Sequence, residues 1–229
     1  MEESGRLVPR LTLVLLLVGC AFGADTDPAA IVRRSVLNDE GQSTGPEVRY
    51  AFTERSRTRN LDDGGRVRSA SSRTREIQMA DYQRRRDRYR KAIREIPEAF
   101  LFRLLGEEEV NSRPAYVIEA TPRPGYDPVD RNSKLFTRVT GKLWIDKLDY
   151  RWARIEVELL DTVTFGWILV RVHKGSRVVL TQESVNKEAW LPRELWYRVS
   201  VRVGLVSLRN IEVETVYGDY RQADAQPAP

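Results

Sequence analysis

From Ala99 to Tyr217 the chain reads as one strand after another, joined by links too short to let neighbours run parallel. The candidate strands are 99–105, 114–121, 139–146, 150–160, 163–173, 176–185, 195–203 and 207–217. Turn signals between them are brief, as in Asp146-Lys147-Leu148-Asp149, Lys174-Gly175-Ser176 and Asn186-Lys187-Glu188. A parallel pair needs a crossover of roughly a dozen residues or more, so these neighbours are antiparallel. Alternation is clean within them. Ala153, Ile155, Val157 and Leu159 share one face, against Arg154, Glu156 and Glu158 on the other. Leu195, Tyr197, Val199, Val201 and Val203 do the same against Arg198, Ser200 and Arg202. Such a sheet has one apolar face and one wet, charged face.

The N-terminal third adds a hairpin and two helices. Val48, Tyr50 and Phe52 point one way, and Glu47, Arg49, Ala51 and Thr53 the other. Asp62-Asp63-Gly64-Gly65 then turns the chain back through Val67 towards Ile77. Asp27-Pro28 opens a short helix, with Asp as its cap, Pro at its first position, and Ile31, Val32, Val36 and Leu37 as its apolar stripe. Residues 81–94, DYQRRRDRYRKAIR, read as a second helix with seven basic residues against two acidic ones. Its thin apolar face of Tyr82, Tyr89 and Ile93 suits a solvated surface helix, with adhesion to anionic headgroups as the functional alternative.

A sheet of about ten strands cannot stay flat, because strand twist accumulates until the sheet curls or closes. The expected fold is mainly β, of the α+β class: a curled antiparallel sheet forming a half-open β-barrel covered by a few helices. A concave apolar wall with so little cover is a container for something oily. Its candidate lining is Val48, Tyr50 and Phe52 from the first hairpin, Leu143 and Ile145, then Ile155, Val157 and Leu159, and finally Tyr197, Val199 and Val201. A solid core shows the same pattern; the shortage of helices favours the cavity.

Leu11 to Val18 are apolar except Thr12 and follow Arg6 and Arg10, the layout of an export signal. The run is shorter than the roughly 20 apolar residues that span a bilayer, and no later segment approaches that length. Leu17-Val18-Gly19-Cys20 resembles a bacterial lipobox, whose cysteine is acylated and becomes the mature N-terminus. Ala21-Phe22-Gly23 offers ordinary cleavage after Gly23 as the other route. Lipidation is preferred, because Cys20 closes the motif and is the only cysteine in the chain, which also leaves no disulfide framework. Residues 1–23 are thus assigned to the export signal, 24–221 to a single half-barrel domain, and 222–229, rich in Ala, Pro and Gln, to a disordered tail. The expected location is the periplasm, with Cys20 anchoring the protein to the outer membrane. Glu2, Glu3, Arg6 and Arg10 cancel, so the exported part keeps the net charge of +5. A basic exported protein meets anionic lipid headgroups and envelope polymers, not nucleic acid.

No catalytic constellation stands out. His173 is the only histidine and sits beside the Lys-Gly-Ser turn, so no imidazole cluster for zinc is available and no Cys–His pair is expected. Asp146 with Asp149, or Asp161 with Glu183, could serve as a glycosidase pair, but among 33 acidic residues such pairs arise by chance. They are read as turn caps or partners of arginines, and the protein as a non-enzyme without cofactor or metal. Of the five tryptophans, Trp144, Trp152 and Trp196 fall on the polar parity, which sends their rings to the outer face or beneath loops.

The C-terminal two thirds carry a set of phrases: YVIEATPRPGYDP (116–128), GKLWID (141–146), TFGWILVRVHKGS (164–176), ESVNKEAWLP (183–192) and VYGDYR (216–221). With the first helix followed by VRYAFTER, the set resembles the LolA/LolB-like outer-membrane lipoprotein-sorting superfamily. The resemblance implies a half-open antiparallel barrel closed by helices, whose cavity accepts the acyl chains of lipoproteins or other envelope lipids. It also implies a periplasmic sensor or protein-interaction module as the alternative, since relatives use the same barrel to restrain a sigma-factor pathway. The membrane-anchored sorting factor delivers cargo through an exposed apolar loop; here the segment between the first hairpin and Pro97 is strongly basic instead. Expected partners are lipid or lipoprotein acyl chains and an anionic membrane surface, with no nucleic acid, for a monomeric protein.

Overall fold

A computed structural model describes residues 27–40, 46–165, 170–203 and 207–222. The alternating segments form strands β1 (Tyr50–Leu61), β2 (Val67–Gln78), β3 (Phe100–Val110), β4 (Arg113–Pro122), β5 (Val139–Asp146), β6 (Trp152–Leu159), β7 (Val163–Phe165), β8 (Val170–Val172), β9 (Arg177–Val185), β10 (Ala189–Val203) and β11 (Ser207–Gln222). All belong to one antiparallel sheet with the order β2-β1-β11-β10-β9-β6-β5-β4-β3, while β8 pairs with β7 and with the end of β10 beyond β9. Among the described residues β2 and β3 have no partner on their outer sides, so the barrel is half-open. Bulges interrupt the β1–β11, β3–β4, β5–β6 and β9–β10 ladders, and each adds local twist.

The helices are α1 (Pro28–Glu40), α2 (Met79–Asp87) and α3 (Arg90–Ala99), with 3-10 turns at Pro46–Arg49 and Ser133–Arg138. Asp27 caps α1 as its sequence predicts, its carboxylate accepting the Ala29 N–H at 3.0 Å. The buried face of α1 is Ile31, Val32, Ser35 and Val36, and Leu37, expected in the stripe, is 68% exposed. At 100° per residue, Leu37 lies a step past the face that Val32 and Val36 define. The single helix expected over 81–94 is two helices, because its apolar residues serve different cores. Tyr82 packs on the cluster of Tyr50 and Phe52, while Ile93 packs on that of Ile118 and Ile145. Likewise 163–173 is a β7–β8 hairpin, not one strand. β10 starts at Ala189, earlier than its alternation suggests, because a bulge beside Pro192 lets the ladder pass a residue that lacks an N–H.

Pairing carries one apolar row across the sheet: Ile118, Leu143, Ile155, Leu180 and Leu195, ending at Thr215 and Ser56. The opposite face is laced with cross-strand ion pairs, including Arg103–Glu119 and Arg177–Glu158 at 2.8 Å and Arg59–Glu212 at 2.6 Å. Exposed pairs contribute little stability one by one, about 0–1 kcal/mol, but they commit this face to solvent. Gly141 brings β5 and β6 unusually close: a Cβ there would sit 2.3 Å from the Glu156 carbonyl oxygen.

Candidate functional site

Two helix-covered cores leave the middle of the sheet's apolar face open. On one flank α1 and α3 lie over β3 and β5, where Ile31, Val32 and Val36 meet Ile118, Leu143 and Ile145. On the other, α2 lies over β1 and β2, where Met79 packs with Tyr50, Phe52 and Tyr217. Between these flanks runs a half-buried apolar trough built from Ile155 and Val157 of β6, Leu180 of β9, and Leu195, Tyr197 and Val199 of β10. Val178 sits at its centre, paired with Val157 on one side and Tyr197 on the other, yet it is 38% exposed. A valine between apolar partners on a central strand is ordinarily capped by the next layer. Here the layer stops short. The Tyr197 phenol, beside Val178, is pushed up by burial among these side chains.

At the α3 end, a cleft of about 1270 Å³ lies between α3, the 133–138 turn and β7. Ala92, Ile93, Ile96, Leu135, Phe136 and Val163 form its apolar wall. Leu135, Phe136 and Val163 pack in the same cluster as Val157 and Val172, so cleft and trough share a wall. The cleft exceeds the roughly 300–1000 Å³ of most small-molecule pockets.

Glu95, between Ile93 and Ile96, holds this architecture in place. Its carboxylate accepts hydrogen bonds from the Tyr126 hydroxyl, the Val129 N–H at 3.0 Å, the Asp130 N–H at 2.8 Å and the Ser133 hydroxyl at 2.9 Å. Burial alone raises the Glu95 carboxyl, but the bonds from Tyr126, Val129, Ser133 and Asp130 outweigh it and hold the group below the usual carboxylate range. The Tyr126 phenol is pushed up to about 12, first by burial and then by its bond to Glu95. The loop before the 133–138 turn is thereby clamped to α3, which fixes the mouth of the cleft.

The expected cavity residues divide between core and trough. Tyr50, Phe52, Leu143, Ile145 and Leu159 are buried within the packed clusters. Ile155, Val157, Tyr197, Val199 and Val201 are half-buried on the trough side. Val48 belongs to the 3-10 turn ahead of β1. Cys20, the export signal, Trp167 and residues 223–229 lie outside the described residues. The cleft's own residues were missed, although two signals point to them: Ile93 and Ile96 at helical spacing, and a link between the strands at 122 and 139 that is long for this chain.

Trp152 corrects the parity expectation. The ladder reads Trp144 opposite Arg154 and then Ile145 opposite Trp152, so Ala153 is an extra residue that turns Trp152 inwards. Its indole N–H donates to Ser35 Oγ at 2.6 Å beneath α1. Trp144 stays on the outer face as expected, donating to Glu108 at 2.8 Å under the Arg154 guanidinium. The carboxylates are structural too. Asp146, fully buried, binds Arg113 through both oxygens at 2.7 and 2.9 Å and accepts the Leu148 and Asp149 N–H groups.

No protein-family model matches the chain, and no curated protein matches it in sequence. Among solved structures it is similar to a domain assigned to outer membrane lipoprotein sorting from Vibrio parahaemolyticus, at 10% identity over 85% of this chain and 94% of that one, with a TM-score of 0.37. It is also similar to a LolA superfamily protein from Nitrosomonas europaea, at 13% identity over 87% of this chain and 94% of that one, TM-score 0.30. A third likeness is to the MucA/MucB complex structure of Pseudomonas aeruginosa, at 12% identity over 87% of this chain and 100% of that one, TM-score 0.27. Likeness at this level fixes neither ligand nor partner.

Proposed function

We propose that this protein binds the acyl chains of lipids or lipoproteins in the cell envelope, without catalysis, in the service of lipoprotein sorting or lipid carriage. One observation carries the reading: Val178, at the centre of a row of apolar residues, faces open space where a covering layer belongs. An acyl chain laid along Val157, Val178 and Tyr197 supplies that layer, and burial of its methylenes contributes about 0.8 kcal/mol each. On this reading the protein is exported to the periplasm as a monomer, held to the outer membrane by lipidated Cys20, with the basic segment Arg84 to Arg94 assisting adhesion to anionic membrane.

The test uses the full chain carrying Cys20→Ser, with and without Val157→Glu. Fluorescent fatty-acid binding is measured beside circular dichroism. Val157 is half-buried at the trough wall, so the variant keeps its fold while a carboxylate now faces the acyl chain. Binding weaker by tenfold or more, about 1.4 kcal/mol, is expected. A folded variant that binds as tightly as its parent, or a parent that binds nothing, removes the acyl-chain reading.

A second reading, a periplasmic sensor or protein-interaction module on the same half-barrel, has its own support in the sheet edge. On β3, whose outer side has no partner among the described residues, Leu101 is 46% and Leu105 39% exposed. That surface suits a protein partner better than a lipid.

A further inference from the structure

The cleft that shares a wall with the acyl-chain trough is lined by charges of one sign. Arg131, Lys134 and Arg138 line it beside the apolar wall, and among the described residues no carboxylate lines it. On the sheet's outer face, by contrast, several arginines pair with carboxylates across strands, as in Arg103–Glu119 and Arg59–Glu212. Two acids of the adjoining α3 and loop are engaged by uncharged donors. Glu95 accepts four hydrogen bonds from 126–133, and Asp130 accepts the Asn132 N–H at 2.8 Å. Arg138 donates to the Thr162 carbonyl at 3.2 Å, an uncharged partner. A cleft walled by low-dielectric side chains focuses the field of like charges, and so concentrates anions at its mouth.

We propose that the cleft selects an amphiphile with an anionic headgroup, phosphate or carboxylate. The tail runs from the trough along Ile93, Ile96, Leu135 and Phe136, and the head sits among Arg131, Lys134 and Arg138. The proposal rests on the acyl-chain reading and adds to it the class of lipid. Neither partial ligand uses the whole site: a neutral lipid offers the three cations no anion, and a bare anion leaves the apolar wall wet.

The experiment is isothermal titration calorimetry of the full chain carrying Cys20→Ser, using two probes with the same tail, dodecyl phosphate and dodecyl maltoside, both below micellar concentrations. Dodecyl phosphate is expected to bind about tenfold more tightly in dilute buffer, with the preference largely lost in about 0.5 M NaCl as the charges are screened. Arg131→Gln, Lys134→Gln and Arg138→Gln together should bring dodecyl phosphate down to the affinity of dodecyl maltoside, in a protein with unchanged circular dichroism. If the triple variant fails to fold, the salt dependence in the parent carries the test. Equal affinity for the two probes overturns the headgroup proposal and leaves the acyl-chain reading standing. No binding of either probe removes both. Inorganic phosphate displacing dodecyl phosphate at comparable concentration marks a free-anion site, and it too overturns the proposal, as does a preference that persists in high salt.

Discussion

Replacing Glu95 by Gln tests how the mouth of the cleft is held. Three of its four donors, Tyr126, Val129 and Ser133, reach Oε2, and the Asp130 N–H alone reaches Oε1. An amide has one acceptor oxygen. If that oxygen takes the Oε2 place, the new NH2 faces the Asp130 N–H, donor to donor. If it takes the Oε1 place, the Val129 N–H is stranded instead, while the two hydroxyls can rotate to accept. Either way one backbone donor is orphaned, at about 1–3 kcal/mol, and the surviving bonds lose their charge assistance. A total near 3 kcal/mol is expected, which lowers Tm by roughly 6–12 °C for a domain of this size. The pH dependence gives the sharper check. The folded Glu95 carboxyl lies below its ordinary value of 4.5, so its stabilisation is complete above that value. It is lost as pH falls through the lower, folded value, where the group protonates. Denaturant unfolding of parent and Glu95→Gln should therefore differ most at neutral pH and converge at an acid pH below the folded Glu95 value. The Tyr126 phenol, freed from the carboxylate, should also titrate below its present value of about 12. A stability difference that is the same at both pH values would refute the charge-assisted clamp and leave only a change of shape.

Gly141→Ala should destabilise the sheet by about 2–3 kcal/mol, because its Cβ would stand 2.3 Å from a backbone oxygen that cannot move without shifting β6; chemical denaturation measures it. Trp152→Phe removes the indole bond to Ser35 and should cost about 1–2 kcal/mol. A double-mutant cycle with Ser35→Ala should return most of that as coupling, and independent effects would show that the bond contributes nothing. Cys20→Ser should abolish incorporation of labelled palmitate and release the protein from membranes to the periplasmic fraction. A mature chain that begins at Ala24 by mass spectrometry would end the anchor proposal.

How much of this was legible in the sequence depends on the range of the interactions concerned. Side chains alternate across a strand with a period of two whatever the fold around them, so the faces of β6 and β10, the antiparallel order and the need to curl all follow from local pattern and short links. The Asp27 cap and the Asp62 hairpin are local in the same sense. Trp152 was misread because its direction is set by a bulge, and a bulge exists only relative to the partner strand. Helix 81–94 divides because its apolar residues are claimed by two cores that the chain order keeps apart.

The same division runs through the site. Alternation identified Val157, Tyr197 and Val199 as apolar-facing residues, but it treated Ile145 and Val157 alike. Only the docking of α1 and α3 buries the first and leaves the second half-open. Glu95 appears in the sequence as one more acid on a helix, and its partners lie 31 to 38 residues further along. Which carboxylate becomes a clamp, which valine stays uncovered and which arginines share a cleft are settled by distances in space between residues far apart in sequence. Local pattern carries no record of those distances, because the same alternation of apolar and charged residues is compatible with a filled core or an open trough.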